Sequence, residues 1–384
     1  MTGIFNRALL CTSILALGAC GGSGGGGLPE ARSSSSLAAS SLSSSLQSSS
    51  AAPVFSSNFA LGADISWASE MEANGYKFFD AAGTPTDIFT LMSNLSVNAI
   101  RLRVWVNPAD GWYNSAQDVI AKAKRAKAQG QRIMIDFHYS DNWADPGKQA
   151  KPAVWANYSV AELKTALADH TRATLVALRD EGITPEWVQV GNETNDGFLW
   201  DDARPSKEPR ASTMKNYAEL TSAGYDAVKE VFPQALVIVH LANCHDNANF
   251  RWIFDGLKAN GGKFDVIGAS SYPLANAGMP WRTITSNCLV NLNDMVSRYQ
   301  VPVMLTEIGL SWDHPDAKAV VTDLIEKVAS VPDRKGLGVF YWEPQAHNGW
   351  RGYTLGAFDD TGKPAAGMTA IQEAAKKIPA STGN

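Results

Sequence analysis

Positive charge, histidine and cysteine are all scarce in this chain, and each scarcity narrows the function. The 384 residues carry 33 Lys and Arg against 38 Asp and Glu, a formal net charge of −5. That balance offers no electrostatic footprint for nucleic acid. His138 closes a strand-like run, but no second histidine stands at a ligand spacing from it, so no metal is expected there. The first strand-like run leads into Gly62-Ala63-Asp64-Ile65-Ser66-Trp67-Ala68-Ser69-Glu70, which holds no Gly-rich phosphate turn. No cofactor is expected. The apolar stretch Ala8 to Leu17 is too short to span a membrane as a mature helix.

What is present begins with an export signal. Arg7 supplies a short basic start, and residues 1–19 read as a signal peptide. Leu17-Gly18-Ala19-Cys20 matches the bacterial lipoprotein cleavage pattern, with Cys20 as the lipidated residue. An ordinary signal peptide with an incidental cysteine is the plainer alternative. Residues 20–56 are dominated by Gly, Ser and Ala and are expected to form a disordered linker. Contact with a membrane is expected only through the lipid. Gly21 after Cys20 points to the outer membrane if the host is Gram-negative, with an exported, surface-tethered or released protein as the result. With export, Cys244 and Cys288 are free to form a disulfide; two buried thiols are the alternative.

Residues 57–378 alternate strand-like and helical patterns. The strand-like runs end near Asp64, Arg103, His138, Glu193, His240, Tyr272, Glu307 and Glu343. Helical patterns cover Ser115 to Gln129, Ser159 to Glu181, Thr213 to Glu230, Asp316 to Ala329 and Met368 to Lys377. Eight strand-like runs alternating with helices predict a (β/α)8 TIM barrel, with an open doubly wound sheet as the runner-up. Apolar layers are expected to fill the barrel, so the polar strand ends crowd its C-terminal mouth.

Two of those ends carry the chemistry. Val188-Gln189-Val190-Gly191-Asn192-Glu193 and Val303-Met304-Leu305-Thr306-Glu307 are apolar runs that stop on a carboxylate. Two carboxyl groups facing one cleft are what cleavage of a glycosidic bond needs. Arg101 and Arg103 alternate with apolar residues and so share one face. An arginine there can hold a nucleophilic carboxylate; a structural ion pair is nearly as good a reading for Arg101. Tyr272 either bonds that carboxylate or packs. Trp342 is expected to floor a sugar ring, with Trp350 and Tyr353 extending the platform. Asp141 and Trp143 are cleft candidates, and Glu343 is a third strand-end carboxylate expected to be structural.

The segments GADIS, RLRVWVNP, DFHYSDNWADPGKQ, VGNET, TEIG and YWEP, in this order, resemble family 53 of the glycoside hydrolases, the endo-β-1,4-galactanases. DFHYSDNWADPGKQ carries the resemblance most specifically. It implies retaining double displacement on the galactan of pectin, with Glu193 as acid/base and Glu307 as nucleophile, their carboxyl groups about 5–5.5 Å apart. It also implies that Asn192 contacts the 2-hydroxyl, and that Arg103, His138, Tyr272 and Trp342 surround the same sugar. Asp64 matches the opening motif with its role open. Some bacterial members bind calcium after the seventh and eighth strands. Here the segment after Glu307 is short and lacks a dense set of oxygen ligands, so no metal is expected, with Asp313 and Asp316 leaving calcium as the alternative. A monomer is expected. A related mannanase or cellulase, or a non-catalytic galactan-binding lipoprotein, are the rival readings.

Overall fold

Eight short strands pair in parallel, each with its neighbour in sequence, and the first also pairs with the last. The computed structural model describes residues 55–275 and 278–379. The strands are β1 (Ala60–Asp64), β2 (Ala99–Val104), β3 (Arg132–Phe137), β4 (Trp187–Val190), β5 (Leu236–Leu241), β6 (Val266–Ser271), β7 (Val303–Ile308) and β8 (Gly336–Trp342). They close the expected (β/α)8 barrel. The signal peptide, Cys20 and nearly all of the 20–56 linker lie outside the described residues. The linker's end needs one correction. Phe55 is buried and packs edge-on against Phe59, ring centres 5.2 Å apart, so the barrel's packing begins there.

Helices follow the strands. Two short ones, α1 (Ala68–Ala73) and α2 (Ile88–Asn94), lie between β1 and β2. The others are α3 (Ala116–Ala128), α4 (Val160–Asp180), α5 (Arg210–Val231), α6 (Asn247–Ala259), α7 (Trp281–Tyr299), α8 (Ala317–Ala329) and α9 (Ala366–Ala375). Start and stop chemistry sets the clearest of them. Ser159 and Glu162 form a reciprocal capping box at the start of α4. Gly130 ends the α3 turn at φ 70°, a conformation open to glycine without penalty.

The barrel interior departs from the expected apolar layers. Only its floor is apolar, with one residue from each strand: Ala60, Ala99, Met134, Trp187, Ile238, Val266, Met304 and Phe340. Above the floor the inward positions are Asp64, Arg101, Asp136, Gln189 and His240, all fully buried. Side chains alternate faces along a strand, so the apolar residues between them face the helices. Ile100, Leu102, Ile135, Val188, Val239 and Leu305 join that larger outer core. Burying this much polarity is tolerable because each member is hydrogen-bonded.

Cys244 and Cys288 form a disulfide, Cα atoms 4.8 Å apart, joining the segment after β5 to α7. Among the described residues no helix is long and apolar enough to cross a membrane.

Candidate active site

A cavity of about 220 Å³ opens at the C-terminal mouth of the barrel. His138, Trp143, Ala144, Asp145, Asn192, Glu193, Tyr272, Glu307 and Trp342 line it. Glu193, just after β4, and Glu307, in β7, therefore share one hollow from strands three apart around the barrel.

Local backbone irregularity aims both carboxylates. Pairing between β6 and β7 slips after Ala269–Leu305, so that Ser270 lies opposite Glu307 rather than Thr306. Such a slip re-aims the side chains beyond it and brings Glu307 inward. Glu193 has φ 48°, a left-handed conformation rare for a side-chain-bearing residue.

The two carboxylates have different company. Glu307 lies 2.9 Å from Arg101 Nη2 and accepts a hydrogen bond of 2.9 Å from the Tyr272 hydroxyl. Burial raises its pKa, and the charge of Arg101 opposes that rise. Burial keeps Tyr272 protonated far up the pH scale, with the charge of Glu307 acting in the same direction. Among the described residues no cation is bonded to Glu193, which accepts from the Ser270 hydroxyl at 2.6 Å. Withdrawal from water, then the charge of Glu307, pushes its pKa up to about 8. Of the two, Arg101 favours the ionised form of Glu307, while burial and the nearby Glu307 charge favour the protonated form of Glu193.

Arg101 is the hub beneath the cavity. It donates to Asp64 at 2.7 Å, Asp136 at 2.9 Å, Asn192 at 2.8 Å and Gln189 at 3.2 Å. His138 donates from Nε2 to Asp136 at 3.0 Å, while its Nδ1 accepts from Trp105 and the Ala144 backbone. Asn192 gives its amide hydrogen to Ala144 O at 2.8 Å. Trp342 packs between Trp67, Trp143 and Tyr353, centroids 5.2, 5.8 and 4.8 Å away.

Three residues expected to touch substrate do not line the cavity. Asp64 is fully buried and spent on Arg101 and Ser66. Arg103 lies under the aromatic floor, paired with Glu343 and stacked 4.3 Å from the Trp143 ring. The residue that reaches Glu307 is its neighbour on the same face, Arg101. Trp350 is only 7% exposed and packs on Tyr76, ring centres 5.0 Å apart, because its loop folds back over the core. Asp141 caps a turn, accepting from the Asn107 and Ala153 backbones.

Glu343 is pushed up to about 7 by burial against the pull of Arg103. Its oxygens are nonetheless engaged by Arg103, Gln345 and the Trp67 backbone, and it does not face the cavity. Sequence reasoning missed Ser270, Gln189 and His240 as members of the network beneath the two carboxylates; their inward strand positions were the available signal. Among the described residues no group of three or more His, Cys, Asp or Glu side chains is placed to hold a metal ion. Asp313 accepts from Ser311 and Asp316 from Trp281.

A parallel barrel whose mouth holds an inequivalent pair of carboxyl groups among indole rings defines a glycoside hydrolase. The sequence comparisons make the assignment narrower. The profile of glycosyl hydrolase family 53 matches residues 60–319 and 315–371, and the chain belongs to that family. It is 31% identical over 319 residues to the endo-beta-1,4-galactanase of Bacillus subtilis, covering 75% of this chain and 70% of that one. Against the arabinogalactan endo-beta-1,4-galactanase of Cellvibrio japonicus the identity is 32% over 313 residues, covering 74% and 80%. A solved fungal beta-1,4-galactanase superposes with a TM-score of 0.72 at 28% identity, covering 81% of this chain and 98% of that one.

Proposed function

We propose that the protein is a retaining endo-β-1,4-galactanase that cuts the galactan of type I arabinogalactan. The observation that carries the mechanism is the unequal setting of the pair: Glu307 is bonded by Arg101 and Tyr272, whereas Glu193 is bonded by the Ser270 hydroxyl. Glu307 stays ionised and attacks the anomeric carbon. Glu193 gives its proton to the leaving oxygen, then takes one from the water that releases the sugar. Asn192 and His138 contact the sugar hydroxyls, and Trp342 with Trp143 supplies the apolar floor. The substrate follows from family membership and from the named activities of the relatives.

The test is hydrolysis of linear β-1,4-galactan by wild type and Glu307→Ala, with the product anomer followed by NMR. Short galacto-oligosaccharides released with retention by wild type alone are expected. Release from mannan or cellulose instead, or an inverted anomer, would overturn the reading. Azide should restore part of the activity of Glu193→Ala on a substrate with a good leaving group.

Export as a monomeric lipoprotein anchored through Cys20 belongs to the same proposal and rests on the sequence alone. Loss of detergent-phase partitioning in Cys20→Ala tests the anchor; unchanged partitioning would remove it. Sedimentation of the lipid-free protein tests the monomer.

A further inference from the structure

Arg101 donates and cannot accept, and that one-sidedness fixes the direction of a chain of side chains ending on Glu193. Its Nε lies 3.2 Å from Gln189 Oε1, so the Gln189 carbonyl faces the guanidinium and the amide nitrogen faces the other way. That nitrogen lies 2.7 Å from Asp136 Oδ1 and 2.9 Å from His240 Nδ1. A second donor, the Glu193 backbone N–H, points at the same Nδ1 from 3.4 Å. The one acceptor near it, Asn192 Oδ1 at 3.0 Å, already receives Arg101 at 2.8 Å and the Gln189 amide nitrogen at 3.1 Å, which fills its two lone pairs. Nδ1 is therefore the unprotonated nitrogen, and Nε2 carries the hydrogen. Nε2 lies 2.7 Å from Ser270 Oγ, and Ser270 Oγ lies 2.6 Å from Glu193 Oε1.

We propose that Ser270 and His240 are positioning residues for Glu193: a one-way hydrogen-bond chain from Arg101 through Gln189, His240 and Ser270 keeps Oε1 an acceptor, so the proton delivered to the leaving group resides on Oε2. This rests on the reading of Glu193 as acid/base. The consequence is orientational. A carboxylic acid has two oxygens, and a proton on the one turned toward Ser270 would be hidden from the glycosidic oxygen. With Oε1 occupied by a donor in both protonation states, the acid always presents the same oxygen to the substrate. Arg101 thereby governs both carboxylates, Glu307 directly and Glu193 across three intervening side chains.

The chain keeps its direction as pH changes. Burial, then the charge of Arg101, holds His240 neutral well below the ordinary histidine range. The other groups whose charge or titration acts on Glu193 are Glu307 on β7, Arg101 on β2, Asp145 after β3 and Tyr272 after β6. Ser270 donates to the ionised form and so favours it.

The first test is kinetic, on full-length Ser270→Ala, a change that removes one oxygen and adds no bulk. The alkaline limb of kcat/KM should move up by roughly one pH unit with the loss of a charge-assisted bond. With the acid free to turn, kcat should fall by about tenfold and KM should change little. Ser270→Thr, which keeps the hydroxyl, should return the limb toward wild type. A merely structural Ser270 would lower activity with the limb unmoved, and that result overturns the proposal. The second test is on wild type: the ¹⁵N shifts of His240, assigned by difference against His240→Asn, should show a hydrogen on Nε2. A hydrogen on Nδ1 would reverse the chain and overturn it as well. Failure here is separable from failure of the acid/base assignment. If that assignment is wrong, Glu193→Ala is active or gains nothing from azide; if only the chain is wrong, azide rescue persists.

Discussion

Arg101 holds Glu307 at 2.9 Å through Nη2, the same nitrogen that bonds Asp136 and Asn192. Three of its nitrogens are in use on five side chains in a site closed to water. A lysine there keeps the charge and loses the planar fork. Arg101→Lys should lower kcat by about a hundredfold through misplacement of the nucleophile. It should also destabilise the fold by about 3 kcal/mol, because Asp64 and Asp136 are left with too few donors. Steady-state kinetics and chemical denaturation check the two effects; near-wild-type activity would show that charge alone suffices.

The raised pKa of Glu193 has a stability signature with a definite sign. Its carboxyl ordinarily titrates near 4.5 and here is pushed up to about 8 by burial and by Glu307. The folded state then binds the proton more tightly than the unfolded chain. Stability linked to this group is fully present below the unfolded value and is lost as pH rises toward and through the folded value. Glu193→Gln removes that loss. The variant should melt about 2–4 °C above wild type at pH 9 and close to it at pH 4. Melting curves at the two pH values decide it; a constant offset would mean Glu193 is not the titrating group. The proposed mechanism spends the same proton on the leaving group, so wild-type kcat/KM should fall as pH rises past about 8.

Glu343 partners Arg103, whose Nε and Nη2 find no acceptor even with Glu343 in place. Removing the carboxylate leaves a buried guanidinium with only Asp64, 4.0 Å away, and the indoles of Trp67, Trp105 and Trp143 for company. Glu343→Ala should cost about 3–5 kcal/mol of stability. The alkaline limb of kcat/KM should stay in place, which separates Glu343 from the reacting pair. Loss of all activity in a fully folded Glu343→Ala would show that the wrong carboxylates had been chosen.

The disulfide between Cys244 and Cys288 closes a loop with a sequence separation of 44. The chain-entropy relation gives such a loop about 4 kcal/mol. The Cys244→Ala/Cys288→Ala double variant should lose up to that amount in urea denaturation, while wild type in reductant approaches it. Activity at low temperature should survive, since neither cysteine lines the cavity.

The strands were legible because each is a short apolar run closed by a polar residue, and the polar ends pointed to the mouth. α3 and α4 were legible from Ser115 and Ser159, which cap them through their hydroxyls. α6 carries an equally plain signal in Phe250, Ile253, Phe254 and Leu257, but begins in an Asn-rich stretch that reads as loop. α7 buries Thr285 and Asn291 among its apolar residues, which blurs its stripe. α5 starts at Arg210, three residues before the expected Thr213, and lacks a side-chain cap to mark its start. Within the site, alternation revealed which face Arg101 and Arg103 share but not how deep each lies. Depth depends on strand tilt and on the stagger around the barrel, which no single strand encodes. Trp350 was misplaced for a similar reason: the return path of its loop is set by contacts with Tyr76, distant in sequence.

The apolar floor is one residue deep, and Asp64, Arg101, Asp136, Gln189 and His240 above it belong to the network that ends on Glu193 and Glu307. Cohesion of the barrel therefore comes chiefly from the outward faces of the strands, where shape matters and hydrogen-bond direction does not. Substitutions should accumulate at unequal rates on the two sides of the same strand. Ile100 and Leu102 can drift among aliphatic side chains of similar volume. Arg101, between them, has no neighbour in sequence space that makes the same five contacts. A strand such as β2 would evolve as two interleaved sequences, one free to wander and one held still.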